Sequence, residues 1–132
     1  MFVGKLNEAQ RRSFMALVMK MALADAQVKP EEVDVLEEFS AVFGPDLKIP
    51  PEEIYGATNV DAFDTRESQV IALLGMLVVA FSDKHFHVDE STVLTDAAAA
   101  FGITGPELLK MKTWAERAAR LYGEFTALRT AE

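Results

Sequence analysis

Sliding the chain along itself by 58 residues lays Ala22–Gly44 over Ala80–Gly102 without a gap, and eight positions coincide. The pairs are Ala22 with Ala80, Asp25 with Asp83, Glu32 with Glu90, Val35 with Val93, Leu36 with Leu94, Ala41 with Ala99, Phe43 with Phe101, and Gly44 with Gly102. A window of that length in a chain of average composition would give about two matches. Duplication of one unit is the economical reading, and whatever structure suits one copy has to suit the other. In each copy an Asp stands seven residues ahead of a Glu: Asp25 and Glu32, then Asp83 and Glu90.

The unit reads as helical throughout. Asn7-Glu8-Ala9-Gln10 has an N-cap residue with its return partner at the third helical position, and Phe14, Leu17, Val18 and Met21 recur at helical spacing behind it. A first helix is expected from about Glu8 to Ala24, apolar nearly all round in its second half and therefore buried on several sides. Pro30 suits the first position of a second helix, whose stripe is Val35, Leu36, Phe39, Val42 and Phe43 and whose stop is Gly44-Pro45. Pro50-Pro51-Glu52-Glu53 can start a short helix through Tyr55, followed by an acidic connection up to residue 66. Gln69 to Phe81 is expected to form a second central helix, and Glu90 to Phe101 an amphipathic one ended by Gly102. Thr104-Gly105-Pro106-Glu107 combines a cap, a first-turn Pro and a Glu three residues after the Thr, so it begins a last helix. There Met111, Trp114, Ala115, Ala118, Leu121, Tyr122 and Phe125 fall on one face, which at this spacing is expected to be core. No segment alternates with period two, so no strands are expected. The expectation is an all-α, compact multihelical domain of two tandem three-helix repeats, at about 7–58 and 67–130, around two central buried helices. Its length of 132 residues suits a single domain, 1–132.

Composition narrows the function classes. The longest apolar run, Val70 to Phe81, is too short to cross a bilayer of about 30 Å, so no membrane span is expected. The start, Met1 to Asn7, has no basic segment leading into a long apolar stretch, which makes the cytoplasm the expected location. The absence of Cys removes disulfides, thiolate metal sites and thiol nucleophiles together. A net charge of −8 argues against nucleic acid as a partner, because binding there needs cations to replace phosphate counterions. The charge is uneven: residues 1–23 carry four Lys/Arg against one Glu, and residues 24–67 carry twelve Asp/Glu against three Lys/Arg. Such an acidic pole ordinarily serves solubility.

The doubled pattern of helix, Ala-Asp, short turn, basic or polar step, Pro-Glu-Glu and amphipathic helix ending in Phe-Gly resembles the TerB-like family, named for a tellurite-resistance protein. The resemblance spans nearly the whole chain. Ala24-Asp25-Ala26-Gln27-Val28-Lys29-Pro30-Glu31-Glu32 and Ser82-Asp83-Lys84-His85-Phe86-His87-Val88-Asp89-Glu90 fall where that family has its Asp-Gly-x-Val-x-x-x-Glu signature. The Gly after Asp is replaced by Ala26 in one copy and Lys84 in the other. The resemblance implies a compact helical fold of two three-helix repeats and a loose association with tellurite or general stress responses, in a family with no established enzyme activity.

Taken on their own chemistry, Asp25 and Glu32 read as structural: the Asp accepts hydrogen bonds from turn N–H groups, and the Glu lies near the positive end of the next helix. The second turn is richer, since Asp83, His85, His87, Asp89 and Glu90 bring both histidines of the chain beside three carboxylates. Such N and O donors suit Zn²⁺ or another divalent cation, although His-x-His alone is a weak metal signal. Neither turn has the spacing of an EF-hand loop. Met15, Met19, Met21, Met76 and Met111 read as core packing rather than soft-metal ligands. There is no Gly-x-Gly-x-x-Gly, phosphate loop, nucleophile elbow or His-Glu-x-x-His, so no enzyme and no cofactor are expected. The expected function is a non-catalytic interaction domain with an unidentified protein partner. The alternatives are a metal-binding module at turn 83–90 and a homodimer formed through the last helix.

Overall fold

A computed structural model describes residues 2–24 (the backbone alone for 22–24), 52, 53, 56, 60–82 and 91–131. Four α-helices and a short 3-10 helix, Phe2–Lys5, are delimited among them, and no strand occurs among the described residues. The all-α expectation holds. The predicted helix from Pro30 to Phe43, and with it the overlay of the two repeat copies, lies outside the described residues.

Helix α1 (Glu8–Ala24) begins where the sequence places it. The Gln10 N–H donates to Asn7 Oδ1 at 2.9 Å and the Asn7 N–H to Gln10 Oε1 at 3.0 Å, which satisfies two N–H groups that the helix itself leaves unpaired. Gln10 is buried, and its amide nitrogen donates to the Ala62 carbonyl at 3.2 Å and to Asp64 Oδ1 at 3.3 Å. One side chain thus caps α1 and ties it to the segment entering the next helix.

Helix α2 (Arg66–Ser82) starts three residues before the expected Gln69. The Ser68 N–H donates to Thr65 Oγ1 at 3.1 Å, and the Thr65 N–H donates back to Ser68 Oγ at 3.2 Å. This is a reciprocal cap whose return arm is Ser, where a sequence reader looks for Glu or Gln. The Gln69 amide reaches back to the Phe63 carbonyl at 3.0 Å, holding the same entry segment from the other side.

Helix α3 (Thr92–Ala100) is shorter than the predicted span from Glu90 to Phe101. Ser91 is the N-cap, its hydroxyl accepting from the Leu94 N–H at 3.3 Å. Phe101 is the C-cap, and Gly102 follows at φ 66°, a left-handed conformation that a Cβ disfavours. The Ile103 N–H closes on the Ala98 carbonyl at 3.0 Å and the Gly102 N–H on Ala99 at 3.1 Å, so the end of the helix keeps its carbonyls paired. Helix α4 (Gly105–Thr130) follows at once.

The core is centred on α2, which packs against α1, α3, α4 and the 3-10 helix. Its residues Ile71, Ala72, Leu73, Met76, Leu77, Val78, Val79 and Ala80 are all buried, as the all-round apolar run predicts. Phe14, Val18 and Met21 of α1 and Val3 and Leu6 of the N-terminal turn are buried with them. Gly75 lets α1 come close: a Cβ there would stand 2.6 Å from two ring atoms of Phe14. Met15, Met21, Met76 and Met111 are buried, in keeping with their reading as core. Phe63 meets Phe101 edge to face, with centroids 5.6 Å apart, joining the α2 entry segment to the end of α3.

Candidate interaction surface

The seven residues singled out by the sequence, Asp25, Glu32, Asp83, His85, His87, Asp89 and Glu90, all lie outside the described residues. What is described are the two ends that the second turn joins, Ser82 closing α2 and Ser91 capping α3. Among the described residues, no group of three or more His, Cys, Asp or Glu could hold a metal ion.

The surface feature that stands out is on α4. Thr104 caps this helix, accepting from the Glu107 N–H at 3.3 Å, and Pro106 sits in its first turn. The Glu107 carboxylate pairs with Arg66 at the start of α2, while Arg66 also donates to the Phe101 carbonyl at 3.3 Å. The starts of α2 and α4 are thereby held together. From there Met111, Ala115 and Ala119, four residues apart each time, bury one stripe of α4 against the core, with Leu108, Ala118 and Tyr122 packed along its edges. Two of the three buried residues are alanines, so the helix can lie close to its neighbour.

A second apolar stripe runs along the same helix and, among the described residues, stays outside the core. Trp114 is 39% exposed, Leu121 63%, Phe125 50% and Leu128 79%. At 100° per residue this stripe is centred about 110° round the helix from the first. The expectation that Trp114, Leu121 and Phe125 belong to one core-facing stripe is therefore corrected. Both stripes obey helical spacing, and the core takes the one with small residues. Trp114 is partly covered by Phe2, edge to face at 5.3 Å, which fixes its ring. Beyond Tyr122 every described residue of α4 is exposed except the half-buried Thr126, so the last turns extend past the packed part of the helix. The Arg129 guanidinium lies 5.5 Å from the centre of the Phe125 ring. Arg117 and Glu124 flank the stripe, both exposed. Leu128 belongs to the same line, and its spacing of three from Phe125 and seven from Leu121 is the signal the sequence carries for it.

At about 200 Å² per large side chain, the four residues expose on the order of 450 Å² of apolar surface. That is within the size of the largest patch on an ordinary monomer, and such patches are often binding sites. No helix among the described residues is long and apolar enough to cross a membrane. No family model, curated protein or solved structure matches the chain.

Proposed function

We propose that the chain is a non-catalytic, TerB-like helical domain that serves a tellurite or general stress response by binding a protein partner through the outer stripe of α4. The observation that carries the binding surface is the exposure of Trp114, Leu121, Phe125 and Leu128 along one continuous line. The family and the stress response rest on the doubled signature around Asp25 and Asp83, and the two-repeat organisation belongs with them. The missing catalytic motifs and the cytoplasmic setting come from the sequence in the same way.

The test is genetic and structural together. A strain lacking the gene is challenged with tellurite and with oxidants, then complemented by the wild-type chain or by Leu121→Glu. Leu121 is exposed, so the variant should keep the wild-type circular dichroism spectrum and melting curve. Loss of complementation by this folded variant is expected. Full complementation would remove the stripe from the function, and an unaffected deletion strain would remove the stress role.

A second reading has its own observation: Asp83, His85, His87, Asp89 and Glu90 lie within eight residues. It makes the chain a divalent-cation module. Calorimetric titration with Zn²⁺, Ca²⁺ and Mn²⁺ should then show micromolar binding that His85→Ala with His87→Ala abolishes, and a flat titration dismisses it.

A further inference from the structure

Resting on the reading that the outer stripe of α4 is an interaction surface, we propose that its occupant is a second copy of the same helix, laid antiparallel in a two-fold dimer. The central layers set Ala118 against Leu121 of the second copy and Trp114 against Phe125 of the second copy, each occurring twice.

Spacing is the first ground. Trp114, Ala118, Leu121, Phe125 and Leu128 are separated by four, three, four and three residues, the alternation that keeps a seam facing a partner helix over two heptads. Met111 continues the series backward but is buried in the chain's own core, so the open seam begins at Trp114, and Ala118, half-buried at the edge of the core, is its innermost position. Side-chain size is the second ground. A parallel arrangement stacks Ala118 on Ala118 and Trp114 on Trp114, leaving a gap beside a bulge. The antiparallel arrangement puts the small residue against Leu and pairs the two aromatics, which narrows the difference in size between layers.

Charge is the third ground. In this register Arg117 of each copy lies beside Glu124 of the other, both pairs on the flank of the seam that faces away from the core. Both residues are exposed, and among the described residues neither has an ion-pair partner. A parallel seam would bring Glu124 to Arg129, which already lies over the Phe125 ring, and would leave Arg117 facing Tyr122. The antiparallel register also lays the exposed end of each α4, beyond Tyr122, along the core-packed half of the other. Two stripes of on the order of 450 Å² with their flanks approach about 1,200 Å² in total, the lower end of specific interfaces. The dimer should accordingly form in the micromolar range.

Sedimentation equilibrium of the full chain from about 1 to about 500 µM tests this, with melting curves showing that each variant is folded. A dissociation constant of roughly 1–100 µM is expected for the wild type. Leu121→Glu should weaken it at least about tenfold. Arg117→Glu and Glu124→Arg should each weaken it about three- to tenfold by setting like charges together, and the double reversal should restore it to within about twofold. A wild type that stays monomeric at about 500 µM, a dimer indifferent to Leu121→Glu, or a double reversal that fails to restore association each overturns the proposal. A monomeric wild type combined with failed complementation by Leu121→Glu would sink the dimer while leaving the stripe as the surface for a different protein. Complementation by a variant that no longer dimerises would do the reverse.

Discussion

Replacing Gly75 with Ala sets two effects of opposite sign against each other. In the interior of a 17-residue helix, Ala is better than Gly by about 0.8–1.0 kcal/mol, because Gly forfeits more backbone freedom. Against this, the new Cβ would lie 2.6 Å from Cε1 and Cζ of Phe14 and 3.4 Å from a Val3 methyl. Carbon atoms at rest stand about 3.5–4.0 Å apart, so the Phe14 ring has to withdraw by about 1 Å. It has little room, since Phe14 and Val3 are fully buried and a phenyl ring is rigid. Overpacking of this kind costs about 1–3 kcal/mol, and an overlap of this size belongs at the upper end. The expected balance is a loss of about 2 kcal/mol, measured by urea unfolding with the slope unchanged. Gly123→Ala in α4 is the control, because nothing lies within 4 Å of its added Cβ and only the helix-propensity gain remains. If Gly75→Ala stabilises the protein as Gly123→Ala should, α1 does not cross α2 at this glycine, and the close approach described above is wrong.

Other substitutions probe the joints between elements. Gln10→Met keeps the side-chain volume but strips partners from the Asn7 N–H and the Ala62 carbonyl, and a loss of about 1–3 kcal/mol in urea unfolding is expected. Gly102→Ala meets no neighbour within 4 Å, so its cost is the strain of a Cβ at φ 66° alone, about 1–2 kcal/mol, seen as a lower melting temperature with no change in denaturant slope. Arg66→Met removes the pair with Glu107 across the starts of α2 and α4, and because both side chains are about half exposed a loss within about 1 kcal/mol is expected by the same measurement.

Helix type and order were readable because they depend on local features that the sequence carries explicitly. Asn7 with Gln10 begins α1, Thr104 begins α4 and Gly102 ends α3, each through bonds within a few residues of one another. The starts of α2 and α3 were misplaced for a related reason. Thr65 and Ser68 cap each other through hydroxyls, and Ser91 caps α3 alone, so neither start carries the acid or amide return arm used as a marker. In the capping sequence before α4, that arm is present but turned elsewhere, because Glu107 answers Arg66, forty-one residues away in the chain. A contact of that range is invisible to any local pattern.

The two stripes of α4 show where periodicity stops discriminating. Met111 begins two series at once: 111, 115 and 119 inward, and 111, 114, 118, 121, 125 and 128 outward. Both are legitimate helical spacings, so counting apolar positions merges them into one broad face. What separates them is the partner. The 111–115–119 series meets α2, an already crowded helix with Leu73, Met76, Leu77 and Val79 fully buried, and after Met111 its two alanines leave space for a second backbone to approach. Large residues in place of Ala115 and Ala119 would push α4 away from the core. The outer line carries Trp, Leu, Phe and Leu, which the core does not need, and placing them outside costs solubility without adding to the fold. Among the described residues nothing packs on this outer line except Phe2 against Trp114, and that exposure is what the proposed dimer would cover.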